Sequence, residues 1–316
     1  MIEILTSLFY LLIFPGFLFL SVYGLALEYV DRKLYARFQN RIGPPWFQPF
    51  ADIIKLVAKE TIVLQDGDKR LFRLLPVFAL ASATTAVMYI PIWQTGAAYS
   101  FNGDLIIVMY LLTIPTLTFA LAGWNSTSLF AAIGSVRTIT QLFAYEVPLL
   151  MALLGPALFA GSWSISEIAL FYSNHPLLSL INIPAFIIAI IATQGKLERV
   201  PFDIPEAETE IVAGSFTEYS GRLLAIFRMT IDTEMVVVAA LLGAIFIPFW
   251  VNVNPFLGVL VFILKTLFVV FILAAIRSAF ARLRMEQMVD FCWKYLAPIA
   301  LLQILIDLIL KGVLVR

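Results

Sequence analysis

Long apolar segments are the feature that most restricts how this chain can fold. Eight of them have at least the roughly 17 residues that a helix needs to cross a bilayer, at residues 4–27, 71–93, 104–123, 129–160, 177–193, 223–250, 256–276 and 291–312. Of the 316 residues, 61% are hydrophobic and 13% are charged, whereas soluble domains carry about 25% charged residues. We therefore predict an all-α polytopic membrane protein, with residues 1–316 forming a single transmembrane domain.

The Lys and Arg residues lie on one side of this predicted bundle. Nearly all of the 21 fall in or beside the connectors after the first, third, fifth and seventh spans, and the connectors near residues 94–103, 161–176 and 251–255 contain none. The positive-inside rule predicts that the basic side is cytoplasmic, so both termini are expected outside the cell membrane. Ile4 onward follows no basic segment and precedes no small-residue cleavage site, which predicts a retained helix and not a signal peptide.

Two of the predicted cytoplasmic connectors are unusually long. The first, residues 28–70, places Phe50, Ile53, Ile54 and Val57 at the spacing of one helical face, which predicts an amphipathic helix on the membrane surface. Alternation of Arg with aromatic residues favours a docking surface for another protein over a basic loop that only sets topology. The candidate docking residues here are Arg37, Arg41, Asp52 and Lys55.

The second long connector, residues 196–222, is acidic. It holds six of the 21 acidic residues of the chain: Glu198, Asp203, Glu206, Glu208, Glu210 and Glu218. Pro201 and Pro205 lack a backbone donor and disfavour helix in the residue before each. We therefore expect an extended or turned chain, which permits a helix after Pro205. In such a helix Glu206 and Glu210 would share a face.

Ionisable residues also occur within the predicted spans, where burying charge is costly and function is the first hypothesis. Glu146 lies in the fourth span, Asp232 and Glu234 lie on different faces of the sixth, and Lys265 lies in the seventh. Burial and neighbouring carboxylates raise a carboxyl pKa towards neutral pH, so Glu146 and the loop acids are predicted to handle protons. The alternative is a set of buried salt bridges that hold helices in register. For Asp307 a salt bridge, or contact with the membrane interface, is the preferred interpretation.

Motifs for redox or hydrolytic chemistry are absent from the sequence. It has no Gly-rich nucleotide motif and no nucleophile–base pair. The single cysteine, Cys292, and the single histidine, His175, cannot form a cluster or zinc site alone, and His175 is expected in a solvated loop. We therefore predict no metal, no cofactor and no catalytic residue in this chain, and no nucleic-acid partner. Three polar residues spaced by four, Arg137, Gln141 and Tyr145, are predicted to form a stripe on one helix face.

Four ordered segments resemble one family over most of the chain: EYVDRKLYARFQNRIGPPWFQPFADIIKLVAKE, GWNSTSLFAAIGSVRTITQLFAYEVPL, RVPFDIPEAETEIVAGSFTEYSG and RSAFARLRMEQMVDFCWKYLAP. They are similar to the membrane subunit that carries the quinone site of respiratory complex I, and to its counterpart in energy-converting NiFe hydrogenases and related sulfane reductases. The resemblance implies eight spans and a face that docks an iron–sulfur subunit and a hydrogenase-like large subunit. It also implies small and antiporter-like membrane subunits, with iron–sulfur clusters and a NiFe centre in the partners.

The resemblance assigns roles to residues of its motifs. It makes Glu146 the intramembrane acid of a Tyr-Glu-Val-Pro motif. At the junction with the peripheral arm it places Arg199, Asp203, Glu206, Glu208, Glu210 and Glu218. Arg282 and Arg284 of the last segment join the candidate docking residues. Asp232, Glu234 and Lys265 are proton-path candidates from burial alone.

Departures from the complex I pattern favour the hydrogenase-type branch. Complex I more often has glycine where Ala207 stands and glutamate where Lys196 stands, and its connector after the residues that resemble Gly43-Pro44-Pro45 is usually longer. The leading hypothesis is therefore a non-redox subunit that couples electron transfer to proton or sodium movement in a ferredoxin-linked, membrane-bound hydrogenase-type complex. The alternatives are a quinone-binding subunit, a subunit of a sulfane or polysulfide reductase, a stand-alone secondary transporter, for which no internal repeat is found, and a passive anchor.

Overall fold

The protein is a bundle of helices. The computed structural model describes residues 2–63, 67–93, 96–249 and 254–314, without the side chains of residues 2, 3, 208 and 314. Within these ranges there are no strands, and eight helical segments are long and apolar enough to cross a membrane. The prediction of an all-α protein with eight spans is confirmed. The helices are α1 (Ile2–Leu12), α2 (Phe17–Phe38), α3 (Gln48–Ala58), α4 (Lys69–Ala86), α5 (Asp104–Asn125), α6 (Leu129–Ala160), α7 (Ile165–Asn174), α8 (Pro176–Ser179), α9 (Ile183–Lys196), α10 (Glu208–Ile211), α11 (Gly221–Phe246), α12 (Pro255–Ala279), α13 (Met285–Phe291) and α14 (Ala297–Leu314).

The first span is interrupted and extends further than predicted. Helix α1 ends two residues before Phe14-Pro15, because proline disfavours helix in the residue before it and lacks an N–H for the helical ladder. Helix α2 then continues to Phe38, since no proline interrupts the sequence before Gly43-Pro44. The connector predicted to start at residue 28 therefore begins as helix, and Arg37 lies on that helix.

Helix α3 confirms the helix predicted in this connector. It packs against α2 and α11, and Arg32 of α2 donates a hydrogen bond to Asp52 Oδ2 at 3.0 Å. The predicted apolar face is divided, because Phe50 and Ile53 are partly buried while Ile54 and Val57 are exposed. Helix α3 thus contacts the protein with one part of its apolar face and leaves the other part for the membrane surface.

The connectors alternate between two ends of the bundle. At the first end, which we call the loop end, Asp68 N–H bonds to the Asn125 side chain and Ile62 N–H bonds to the hydroxyl of Ser220. At the opposite end, the Tyr99 hydroxyl donates to Ser7 at 2.6 Å and Lys311 donates to the carbonyl of Leu158 at 2.6 Å. The first and last helices therefore have their free ends together, away from the acidic loop.

One predicted connector contains a helix. Within residues 161–176 the chain forms α7, whose Ile165, Ile168 and Tyr172 are buried. Helix α7 packs against α6 and α11, because its apolar residues lie on one face although it is too short to cross a membrane. The predicted end of the sixth span at residue 250 lies outside the described residues, and α11 ends at Phe246.

Helix α11 is the central helix of the bundle. It contacts α2, α3, α4, α7, α9 and α12. In its most apolar stretch 83% of the residues are buried, compared with 17% in the first span and 28% in the last. Side chains at almost every position of this stretch of α11 therefore face protein and not lipid.

Candidate functional site

A cavity of about 750 Å³ lies at the loop end, between α2, α3, α11 and the acidic loop. We call it the loop cavity. Eight acidic and six basic side chains line it, which gives a net charge of −2 when all are ionised. They are Glu28, Asp31, Asp52, Glu198, Asp203, Glu206, Asp232 and Glu234, with Arg32, Lys196, Arg199, Arg228, Arg277 and Arg282. Ligand pockets are mostly apolar with few polar groups, so a wall with this many charged side chains differs from that of an ordinary small-molecule pocket.

The acidic loop folds back on itself between α9 and α11. Phe202, Ile204 and Ile211 are buried and anchor it. Gly214 has a φ of 52°, and a Cβ there would lie 1.9 Å from the carbonyl oxygen of Pro205, so this turn requires glycine. The loop is thus held in part by its own apolar residues.

The acids of this loop point in different directions. Helix α10 begins only at residue 208, so Glu206 lies outside it and the condition under which Glu206 and Glu210 would share a helical face is not met. Glu206 lies 3.2 Å from Arg228 of α11. Glu210 lies 2.6 Å from Arg137 of α6 and 3.2 Å from Arg282. The hydrogen bond from Arg137, with Arg282 beside it, holds the pKa of Glu210 below its usual range.

A buried ion triad connects the loop to two helices. Asp31 of α2 is 1% exposed and lies 3.0 Å from both Arg199 of the loop and Arg277 of α12. The guanidinium of Arg199, predicted to dock a partner, is therefore directed into the protein. Removing one member of such a buried group leaves uncompensated charge, so the triad holds the loop against the bundle.

A second ion pair lies deeper, between α9 and α11. Lys196 Nζ is 2.6 Å from Glu234 Oε1, and both side chains are 2% exposed. Lys196 also donates to Thr116 at 2.7 Å, and the Thr116 hydroxyl lies 3.2 Å from that of Tyr145. These contacts extend the polar wall of the loop cavity into the membrane-spanning part of the bundle.

Glu146 lies where this polar chain ends. Lys196, Tyr145, Glu146 and Thr113 line one small cavity of about 10 Å³, which is about the volume that one water molecule requires. The predicted stripe on α6 is also present, because Gln141 and Tyr145 are buried and Arg137 is partly buried. The structure therefore brings together Glu146, Glu234 and the loop acids that line the cavity.

Asp232 also faces the loop cavity. The sequence predicts that Asp232 and Glu234 lie on different faces of their helix, and they do, yet both line the same cavity. This is because α11 is enclosed on nearly all sides. Glu28 of α2, which sequence reasoning did not select, lines the cavity with them.

Glu198 is the residue that sequence reasoning most clearly missed, since the sequence gives it no role beyond that of one loop acid among six. Burial, followed by the charges of Glu206, Glu234 and Asp203, raises the pKa of Glu198 to about 8. Its backbone has a φ of 51°, in the left-handed region, which is uncommon for residues other than glycine. No signal in the sequence marks it, because these properties arise only when the loop folds against α11.

Several predicted residues lie elsewhere. Lys265 does not line the loop cavity and instead lines two other cavities, of about 50 and about 510 Å³. Glu218 is partly buried in the loop and does not line the loop cavity. The Glu208 side chain lies outside the described residues. The docking candidates Arg37, Arg41, Lys55 and Arg284 are exposed, whereas Asp52 and Arg282 form ion pairs.

The interpretation of Asp307 is wrong. Asp307 is 0% exposed and accepts a hydrogen bond from Gln303 at 2.9 Å. No Lys or Arg among the described residues forms an ion pair with it, and its buried side chain faces protein and not the membrane interface. His175 is exposed, as predicted. Within the described ranges, no group of three or more His, Cys, Asp and Glu residues is arranged to hold a metal ion.

The fold and the loop cavity define a polytopic membrane protein with a charged cavity that reaches from its loops into its spans. The chain belongs to the NADH dehydrogenase family of membrane subunits, whose sequence profile matches residues 10–308. The resemblance deduced from the four segments is thereby confirmed.

Individual relatives agree with this family. The chain is 36% identical over 291 residues to NADH-quinone oxidoreductase subunit 8 of Thermus thermophilus, covering 88% of this chain and 80% of the relative. It is 35% identical over 289 residues to an NADH-quinone oxidoreductase subunit of Brevibacillus brevis, covering 88% and 85%. A chain of the membrane-bound sulfane sulfur reductase, an archaeal respiratory membrane complex, superposes with a TM-score of 0.83 at 26% identity, covering 92% of this chain and 96% of that one.

Proposed function

We propose that this chain is the non-redox membrane subunit of a ferredoxin-linked, membrane-bound hydrogenase-type complex, where it couples electron transfer to ion translocation. One observation carries the proposal. The loop cavity continues through the Lys196–Glu234 pair, at 2.6 Å, to Glu146 within the membrane-spanning bundle. A passive anchor needs no such arrangement, since buried charges in membrane proteins are costly.

The loop end is proposed to dock the peripheral arm and to face the cytoplasm. The exposed cations Arg37, Arg41, Lys55 and Arg284 belong to the segments that form this end. They fit an acidic surface on a partner, since complementary charge steers and orients association. The partners would be an iron–sulfur subunit and a hydrogenase-like large subunit, and the iron–sulfur clusters and NiFe centre would lie in them.

Coupling begins at the loop cavity. A change of charge in the peripheral arm acts on Glu198, whose pKa of about 8 lets it gain or lose a proton near neutral pH. The Lys196–Glu234 pair then experiences a different field, and a proton at Glu146 is bound more or less tightly. Antiporter-like and small membrane subunits beside the bundle would complete the path for protons or sodium ions.

Coupling also requires an element with two states. The acidic loop is the candidate, because ion pairs hold much of it. Glu210 joins α6 through Arg137 and meets Arg282, and Arg199 joins α2 through Asp31. A charge added or removed at the loop cavity changes the relative stability of these ion pairs.

The candidate functions differ in the terminal electron acceptor of the complex. The chain covers 96% of the sulfane reductase chain but 80% and 85% of the two quinone-linked relatives, which supports the compact branch of hydrogenases and sulfane reductases. A sulfane or polysulfide reductase is the second candidate, favoured by the structural match. A quinone-binding subunit is favoured by sequence identity, but the charged wall of the loop cavity is a poor fit for an apolar quinone tail.

The metal and subunit composition of the native complex tests which of these candidate functions is correct. The chain would be purified from native membranes by an affinity tag, with metal analysis and mass spectrometry of the accompanying subunits. Nickel with iron and a hydrogenase-like large subunit is the expected result. Iron without nickel, together with reduction of sulfane sulfur, would establish the second candidate. Inhibition of the complex by quinone analogues would instead establish the quinone reductase.

Substitution of Glu146 tests the coupling. We expect the Glu146→Gln complex to assemble and to transfer electrons, because the amide keeps the size of the side chain, while ion pumping falls at least about tenfold, the loss expected when a positioned proton-transfer group is removed. Glu286→Gln, on the exposed surface of α13, is the matched control and is expected to pump normally. Pumping by the Glu146→Gln complex at the wild-type rate contradicts the role assigned to this residue.

A further inference from the structure

Lys265 is a cation within a membrane-spanning helix that the loop cavity does not use. Among the described residues, its ammonium group has neither an ion-pair nor a hydrogen-bond partner. An unpaired charge at this position is costly. A counter-ion from outside the described part of the chain would remove this cost.

Lys265 lies in the wall of a groove at the surface of the bundle. The groove has a volume of about 510 Å³ and is formed by the turn between α7 and α8, by Ile247 and Phe249 after α11, and by one face of α12. Its lining is otherwise mostly apolar and includes Pro176, Phe249, Leu264 and Phe268. The last three are about half exposed, so they face lipid in a membrane. We call this the lysine groove.

The direction of the Lys265 side chain brings its ammonium group nearer to the polar boundary than its Cα atom is. Helix α12 begins at Pro255 at the opposite end, and ten residues of helix span about 15 Å. A helical side chain points back towards the helix start, which brings the lysine amine nearer to that end. Its stem packs on Gly243 of α11, where a Cβ would lie 3.2 Å from Lys265 Cβ. Gly243 itself is within one turn of the end of α11.

We propose that the lysine groove binds an anionic phospholipid from the leaflet at the opposite end. The phosphate pairs with Lys265, and one acyl chain lies along Leu264 and Phe268. The groove favours an anionic lipid for two reasons. The one charged residue in its wall is a cation, whose flexible side chain can extend towards the lipid headgroups. The rest of its wall is mostly apolar and suits an acyl chain. The site lies away from the loop cavity, so it does not depend on the proposed function.

A photoreactive lipid tests the site in the intact complex. The complex would be incubated in detergent with phosphatidylglycerol that carries a diazirine in one acyl chain, and the labelled peptides would be identified by mass spectrometry. We expect labelling of residues 255–279, displaced by excess phosphatidylglycerol and not by phosphatidylcholine. Lys265→Gln is expected to lower that labelling about tenfold, the size of effect that one charge-assisted hydrogen bond supplies. Lys265→Arg should retain it.

A matched control distinguishes loss of this lipid site from the general effect of removing a lysine. Lys294→Gln removes an exposed lysine of the same chain, 65% of whose side chain is accessible, and is expected to leave the labelling unchanged. Subunit composition would be compared for every variant, so that loss of lipid is not confused with loss of assembly. Equal labelling of the wild type and Lys265→Gln would overturn the proposal. So would equal displacement by phosphatidylcholine, or a carbodiimide cross-link from Lys265 to a carboxylate of another subunit.

Discussion

The buried Lys196–Glu234 pair gives the sharpest test of how the bundle tolerates charge. The two charged atoms are 2.6 Å apart and both side chains are 2% exposed. At an effective dielectric constant of about 20 their attraction is about 6 kcal/mol, and the cost of removing both ions from water offsets much of it. The pair therefore contributes little net free energy to stability, whereas removal of one of its two charges is strongly destabilising.

Lys196→Met removes the positive charge and leaves Glu234 buried without a counter-ion. We expect the free energy of unfolding to fall by about 3–5 kcal/mol. In the double variant with Glu234→Leu, no charge is left unpaired, so most of this loss should be recovered. Thr116 also loses its hydrogen bond from Lys196 in both variants, so this loss cancels when the single and double variants are compared.

The measurement is a double-mutant cycle on the purified chain in mixed micelles, unfolded by SDS and followed by tryptophan fluorescence. A coupling energy above about 2 kcal/mol between the two residues is expected, because they are in direct contact. A loss below about 1 kcal/mol for Lys196→Met would refute the reasoning. A double variant as unstable as the sum of the single variants would refute it equally.

Three further substitutions test other parts of the structure. The pKa of Glu198 is raised from 4.5 to about 8 in the fold. Between these two values the folded state holds a proton that the unfolded state has released, so stability falls as pH rises from about 4.5 to about 8. Glu198→Gln should remove about 1 kcal/mol per pH unit of this slope, measured by unfolding at several pH values. Gly134→Ala places a Cβ 2.5 Å from the backbone nitrogen of Ser215 and should cost about 1–3 kcal/mol in the same assay. Gly312→Ala, with no atom within 4 Å, should cost nothing. Asp31→Asn leaves two arginines of the triad without an acid and should cost about 3 kcal/mol, against less than about 1 kcal/mol for the exposed Asp290→Asn.

Much of the fold could be predicted because hydrophobicity along the chain reflects the bilayer. The limits of α6 agree with prediction, since polar residues bound its apolar sequence on both sides. The extension of α2 to Phe38 could not be predicted in this way, because hydrophobicity marks where a span leaves the membrane, whereas charged side chains are compatible with helix beyond it. Helix α7 is not predicted because ten residues are too few to span.

The candidate site could be predicted only in part. Glu146 and the loop acids stand out in the sequence as charges in apolar surroundings. Glu198 acquires its raised pKa, and Asp31 its two arginines, from segments distant along the chain. Such properties depend on which helices are neighbours, and hydrophobic patterns carry no information about that.

The central position of α11 has a consequence for how the protein is made. Alone in a bilayer, α11 would expose two carboxyl groups, Asp232 and Glu234, each costing about 2.5–3.5 kcal/mol near the centre of a helix. The lysine that pairs with Glu234 belongs to α9, which is synthesised earlier. A ribosome therefore delivers the counter-charge to the membrane before the acid that needs it. The order of helices along the chain thus lowers the barrier to inserting this acid-bearing helix.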